Sequence, residues 1–243
     1  MPVVETTPIT GTATSVFEDA PLLTHVGLED NHRFQFNFDW SSLTILYLGD
    51  RKDCKSILAI PRETTNLVEL TLGYSSSKDL HIGGGELIHL PRLERLSVHC
   101  TRLLNVFETP SLQQLKIYLG NDLGEARTTL DLLHRSGIKL NTFLLHSGLH
   151  AEVKEILRCM PEVDRLSLCI PDTVFKWLAE TRVHRLRCRT LIVSGYGGRR
   201  GLKALHYMIA RRNTPGDVTN LSSKEVMIRT PWVQEDQDLV ANL

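Results

Sequence analysis

Residues 195–203, GYGGRRGLK, place four glycines, two arginines and a lysine shortly after the apolar run LIV, with only Ser194 between. A glycine-rich loop that opens a helix can turn backbone amides toward a phosphate, and a following lysine can add a charge. The spacing completes neither nucleotide-binding pattern. In G-x-x-x-x-G-K-[ST] the lysine precedes Ser or Thr, whereas Lys203 precedes Ala204; in G-x-G-x-x-G, Gly195 and Gly197 are followed by Arg200 where the third glycine belongs. His146 and His150, four apart, would join on a helix to hold zinc. The intervening SGL reads instead as a strand-to-helix turn, and a third ligand such as Cys159 would have to come from the next helix. No Ser-His-Asp or Cys-His group emerges either, so the expectation is a protein that is not an enzyme, with no catalytic residue, no cofactor and no metal.

Charge offers a second kind of chemistry. The segment 182–212 holds nine of the chain's 28 Lys and Arg (Arg182, Arg185, Arg187, Arg189, Arg199, Arg200, Lys203, Arg211, Arg212) and none of its 28 Asp and Glu. Such a patch can steer an acidic protein, a phosphopeptide or RNA. With no aromatic ladder or nucleic-acid module beside it, solvated surface is the expected reading, and nucleic acid is not expected as a partner.

The elements that carry these residues follow from a recurring pattern, L-x-x-L-x-L. It appears at Leu23, Val26, Leu28; Leu43, Leu46, Leu48; Leu67, Leu70, Leu72; Leu93, Leu96, Val98; and Leu112, Leu115, Ile117. It continues at Leu140, Phe143, Leu145; Val163, Leu166, Leu168; and Cys188, Leu191, Val193. The starts are 20, 24, 26, 19, 28, 23 and 25 residues apart, within or next to the 20–29 period of leucine-rich repeats. The second and third apolar positions alternate with polar ones, which predicts a short strand buried on one face.

Helical spacing is read between strands in CKSILAIPRET, RLLNVFETP, ARTTLDLLHRSG, HAEVKEILRCMP, PDTVFKWLAE and GLKALHYMIARRN. Val153, Ile156, Leu157 and Met160 form one stripe at i, i+3, i+4, i+7. Pro61, Pro91, Pro110 and Pro161 are expected to end helices ahead of strands. HIGGGE (81–86) reads as a loop between units and KEVMI as a final strand.

One unit buries too little to offset the entropy of ordering itself, so neighbouring units must stack. Strands stack about 4.8 Å apart and helices need roughly 8 to 10 Å, which bends the stack with its strands inside. The expected fold is therefore α/β: a right-handed leucine-rich-repeat solenoid, or horseshoe, with parallel strands on the concave face and helices on the convex face. It is expected over residues 16–230, after a flexible segment 1–15 and before a polar tail 231–243.

The 243 residues, 42% apolar and 23% charged with formal net charge zero, are those of a soluble globular chain. No secretory signal or membrane span is evident, and five cysteines without a C-x-x-C pair fit reduced thiols buried as small apolar side chains. The expected location is cytoplasm or nucleus, with no membrane partner.

The phrases FEDAPLLTHVGL, WSSLTILYL, ILAIPRETTNLVELTL, IHLPRLERLSV, TPSLQQLKI, LLHRSGIKLNTFLL and VKEILRCMPEVDRLSL, in that order, resemble the leucine-rich-repeat region of F-box proteins from mushroom-forming fungi, from about Val16 to Arg212. The resemblance implies a substrate-recognition region of a ubiquitin ligase receptor. Two features depart from that pattern. No F-box phrase is found, and the asparagine that follows each strand in the commonest leucine-rich repeats is missing. A ligase adaptor is thus expected as a partner only if an F-box is supplied elsewhere, and the alternative is a truncated remnant or stand-alone scaffold with no ubiquitin role.

If the apolar positions face the core, the positions between them form an open surface about 34 Å long over seven strand steps. It carries His25, Ile45, Tyr47, Glu69, Thr71, Arg95, Ser97, His99, Gln114, Lys116, Tyr118, Thr142, His146, Arg165 and Ser167. Tyr47, Glu69, Arg95, His99, Gln114, Lys116, Tyr118, His146 and Arg165 are the expected contacts to an unknown protein substrate, since protein interfaces favour tyrosine and arginine in mixed surroundings.

Overall fold

The computed structural model describes residues 23–28, 40–49, 54–73, 87–120, 124–137, 140–147, 150–160, 163–180, 188–194, 198–212 and 225–229. In chain order the strands and helices are β1 (His25–Leu28), β2 (Ile45–Leu48), α1 (Cys54–Glu63), β3 (Glu69–Leu72), β4 (Ile88–His89), β5 (Arg95–Val98), β6 (Phe107–Glu108) and β7 (Gln114–Leu119). They continue with α2 (Glu125–Arg135), β8 (Thr142–Ser147), α3 (His150–Cys159), β9 (Val163–Cys169), α4 (Asp172–Glu180), β10 (Cys188–Ser194), α5 (Gly198–Arg212) and β11 (Glu225–Arg229). Short 3-10 helices lie at Trp40–Ser42 and Thr101–Val106.

The result is an α/β fold around one nine-stranded sheet, ordered β1-β2-β3-β5-β7-β8-β9-β10-β11, in which every neighbouring pair is parallel. Strand order is chain order. All eight apolar triplets, and the KEVMI segment, lie in or immediately before these strands. Register aligns the second apolar residues, Val26, Leu46, Leu70, Leu96, Leu115, Phe143, Leu166, Leu191 and Val226, into one row across the sheet. From Leu46 to Leu191 the row is buried, and it packs with the inner faces of the helices in a single apolar core.

Strands β2, β3, β5 and β7 are entered the same way. The amide of Leu43, Leu67, Leu93 or Leu112 donates to the carbonyl three residues earlier, on Trp40, Thr64, Leu90 or Thr109. One carbonyl of the preceding unit then accepts two successive amides: Thr24 from Thr44 and Ile45, Thr44 from Val68 and Glu69, Val68 from Glu94 and Arg95, Glu94 from Gln113 and Gln114, and Gln113 from Asn141 and Thr142. Side chains add further ties between units. Ser42 Oγ donates to Leu23 O at 3.1 Å, Asn66 Nδ2 to Ser41 O at 2.7 Å and Ser111 Oγ to Pro91 O at 2.6 Å.

Two prolines therefore act differently from expectation. Pro91 and Pro110 occupy the second position of these entry turns, where their fixed φ favours the bend. Pro61 lies inside α1, two residues before its end, where only one helical hydrogen bond is forgone. Pro161 is outside the described residues. The segment RLLNVFETP, expected to be α-helical, forms the 3-10 helix Thr101–Val106 and then β6, which pairs in parallel with β4 as a second small sheet. Its unit is the shortest, with starts only 19 residues apart. A 3-10 helix rises about 2.0 Å per residue against 1.5 Å for an α-helix and so covers the distance with fewer residues.

Helices α2, α3, α4 and α5 pack each against the next. The α3 stripe is buried at Val153, Ile156 and Leu157, and Met160 packs partly buried beside it, one residue past the helix end. The N-cap of helix α2 is Gly124, whose φ of 92° is one that residues with side chains rarely adopt and which supplies no side-chain cap. The cap comes from the following unit instead: the buried Glu152 carboxylate on α3 accepts Gly124 N–H at 3.2 Å and Ala126 N–H at 2.6 Å. At the other end Gly137, φ 61°, donates to His134 O and closes the helix in the left-handed conformation. Arg135 reaches back to the 3-10 unit, donating to Leu104 O at 2.8 Å and to Phe107 O at 2.8 and 3.2 Å.

No helix among the described residues is long and apolar enough to cross a membrane. Of the cysteines, Cys100, Cys169 and Cys188 are buried as expected, but Cys159 is exposed at the last position of α3. It falls off the buried stripe of that helix. The expected boundaries at residues 15/16 and 230/231, and the HIGGGE loop, lie outside the described residues.

Candidate functional site: the outward rows of the sheet

Because successive side chains on a strand point to opposite faces, the residues between the buried rows form rows of their own. The first runs His25, Ile45, Glu69, Arg95, Gln114, Thr142, Arg165 and Thr190; the second runs Gly27, Tyr47, Thr71, Ser97, Lys116, Leu144, Ser167 and Ile192. A third row crosses the strand ends. Tyr118 is aligned with His146, and His146 with Cys169. His99, the residue after β5, stands next to Tyr118 in that row.

All nine expected contact residues lie on this outward side. Tyr47 is 40% exposed, and His99 and Arg165 are exposed too. Glu69, Arg95, Gln114, Lys116, Tyr118 and His146 are half-buried. Tyr47 and Arg165 are five strand steps apart, roughly 24 Å, and so cannot touch the same small group.

Two sets are brought into contact. Arg95 Nε meets Glu69 Oε2 at 2.9 Å across the β3–β5 pair, and Arg95 Nη1 lies 3.8 Å from Glu94 Oε2. In the second set the Tyr118 ring stacks on His146, with centroids 4.6 Å apart and planes 25° from parallel, while His99 meets the same tyrosine edge-on at 4.1 Å. Lys116, on the same face of β7 two residues earlier, holds Nζ 5.0 Å from the Tyr118 centroid, within range of a cation–π attraction. Burial, followed by the nearby charges of Lys116 and His99, holds the His146 pKa below the ordinary 6.5.

These three rings were expected on one surface but not in mutual contact, although a signal for it is present in the sequence. His99, Tyr118 and His146 each stand six residues after the first apolar residue of their unit, at Leu93, Leu112 and Leu140. The same offset yields Cys169 and Ser194, which were not among the residues expected on the open surface. Here the openness of the face ends: Ser167 is 9% exposed, Cys169 7% and Ile192 4%. Ser167 was expected on the open surface and is buried instead, together with Cys169 and Ile192, while Arg165 in the first row of the same strand stays exposed.

Other chemistry finds less support in the geometry. His146 lies near the end of β8 and His150 opens α3, so the pair does not share a helix. Among the described residues no three or more His, Cys, Asp or Glu are grouped to hold a metal ion. Cys169 faces His146 across the β8–β9 pair, yet burial raises its thiol pKa, against a smaller lowering by its hydrogen bond with Ser194. A protonated, buried thiol is a poor nucleophile. Lys203 is an exposed residue inside α5, which starts at Gly198 rather than Gly201, and so it is not part of the loop preceding the helix. Of the basic segment 182–212, Arg189, Lys203 and Arg211 are exposed. Arg182, Arg185 and Arg187, and the side chains of Arg199, Arg200 and Arg212, lie outside the description.

No family model matches this sequence, and comparison with curated proteins and with solved structures produced no match.

Proposed function

We propose that this protein is a recognition module: a right-handed leucine-rich-repeat solenoid that binds another protein on the strand side, as the substrate-recognition region of an F-box-like ubiquitin ligase receptor. The observation that carries the reading is the asymmetry of the sheet. One face is sealed by the core, while from β2 to β8 the other bears half-buried and exposed polar, charged and aromatic side chains. Parallel strands in chain order, with helices packed successively beside them, are the arrangement a stacked repeat requires. Helices wider than strands then bend the stack, and the open rows become its concave side. Ahead of β2, β3 and β7, the side chains of Ser42, Asn66 and Ser111 tie successive units together.

The ligase role rests on the resemblance to fungal F-box proteins and is separable from binding. The test is affinity capture from cell extract with the full chain and with an Arg95→Glu, Arg165→Glu double variant. The binding reading expects specific partners that disappear with the double variant while its circular dichroism is unchanged. The ligase reading further expects the cullin adaptor among the wild-type partners. Partners without adaptor would leave a stand-alone scaffold, and a partner set indifferent to the double variant would remove the concave face from consideration.

A further inference from the structure

We infer that Lys116 and the His99–Tyr118–His146 stack form a subsite for the carboxylates of an acidic peptide segment, and that binding there is coupled to proton uptake. The inference rests on the outward face being the binding face and specifies what part of it recognises. Across the outward positions of β5, β7, β8 and β9, including His99, the charged or protonatable nitrogen-bearing groups are Arg95, His99, Lys116, His146 and Arg165, and no carboxylate is among them. Among the described residues, the carboxylates past the strand ends are Glu125, which is buried, Glu152, which accepts two amides at the start of α2, and Asp172, which opens α4. Glu69 and Glu94 lie against Arg95 at 2.9 and 3.8 Å, and Asp164 is at the other end of β9 from Cys169.

The stack itself sets the proton coupling. His146 is flanked by Tyr118 and Lys116 on β7 and by Cys169 on β9, with His99 beyond the tyrosine. None of these groups supplies a negative charge at neutral pH, so protonating His146 places a cation beside Lys116 in a partly desolvated position. The imidazole is therefore harder to protonate than an ordinary histidine while the site is empty. A carboxylate held against Lys116 reverses the sign of the local field and favours imidazolium. Its pKa in the complex then exceeds that of the free protein, and affinity rises as pH falls through the interval between the two. The rise ends near pH 4, where the peptide carboxylates themselves protonate. The aromatic rings contribute a flat, partly apolar floor beneath the peptide chain.

The experiment uses the full chain and fluorescein-labelled hexaglutamate at low ionic strength, read by fluorescence anisotropy. Hexalysine and a hexaserine bearing one phosphate serve as comparison probes. Hexaglutamate is expected to bind at least about threefold more tightly at pH 6.0 than at pH 7.5. Lys116→Gln should weaken it at both values, His146→Gln should flatten the pH ratio, and Arg211→Gln, on exposed α5, should change neither. NMR titration of the wild-type His146 Cε1–H should show its midpoint moving upward with saturating hexaglutamate, a readout that stands even if a variant fails to fold. Absent binding, a flat pH ratio, an unmoved midpoint, equal binding of hexalysine, or binding of the phosphorylated probe alone would each overturn the inference. If those results appear while the Arg95→Glu, Arg165→Glu variant still abolishes partner capture, the binding face stands and this subsite falls.

Discussion

Replacing Leu96 by alanine tests the division of the sheet into a buried and an open face. Leu96 is 1% exposed and lies in register between Leu70 on β3 and Leu115 on β7. The substitution removes three carbons, worth roughly 2.4 kcal/mol of transfer free energy at about 0.8 kcal/mol each. The cavity left between two fully buried leucines adds to this, for a total of about 3 to 4 kcal/mol. Arg95→Ala, one residue earlier, breaks an ion pair with Glu69 whose side chains are 40% and 37% exposed, and costs under about 1 kcal/mol. The assay is urea unfolding followed by circular dichroism. With a slope of about 3 kcal/mol per molar, Leu96→Ala should lower the midpoint by about 1 M and Arg95→Ala by less than about 0.3 M. Leu96→Asp, which places a carboxylate in the apolar row, should abolish the cooperative transition. Equal shifts for Leu96→Ala and Arg95→Ala would refute the assignment of inward and outward positions.

Three further outcomes follow from particular side chains. Glu152→Ala removes the acceptor of two amides at the start of α2, and thermal or urea unfolding should show a loss of about 2 kcal/mol, with Glu152→Gln losing less. Brief iodoacetamide treatment of the native protein followed by peptide mass mapping should modify Cys159, while Cys100, Cys169 and Cys188 react only after denaturation. For Cys100 and Cys169, burial also raises the thiol pKa and so lowers the fraction of reactive thiolate. Because the His146 pKa is depressed in the folded chain, the unfolded chain binds more protons as acidity increases. Its contribution to stability is present above the ordinary pKa of about 6.5 and is lost as pH falls through the folded value. The melting temperature of His146→Gln should therefore decline less than that of the wild type between pH 7 and pH 5.

Much of the fold was legible because strand and helix periods are local. Leu70 and Leu72, or Leu115 and Ile117, alternate with polar residues whatever lies beyond them, and Val153, Ile156 and Leu157 share a helix face by spacing alone. The entry turns were harder to read. Pro91 and Pro110 look like helix stops until the amides of Leu93 and Leu112 are seen bonding back three residues. RLLNVFETP has the spacing of an α-helix, but the short distance to the next strand draws it into a 3-10 helix and an added strand. At the site, the identities and the face of His99, Tyr118 and His146 were available from their common offset, while the stacking and edge-on contacts were not.

By itself the sequence determined which residues are apolar, how often they return and therefore which side of each strand faces the core, since burial follows from side-chain chemistry and a period of two. Tertiary structure alone decided which side chains from different units meet. Glu152 accepts the amide of a helix N-cap residue 28 residues before it, and Arg135 reaches a carbonyl 31 residues away. Lys116 and Tyr118 on β7 keep part of their surface in solvent, while Ser167 and Cys169, aligned with the same outward rows on β9, are buried. Those outcomes depend on the register of neighbouring strands and on what packs over them, and no local pattern of residues encodes distances across the chain.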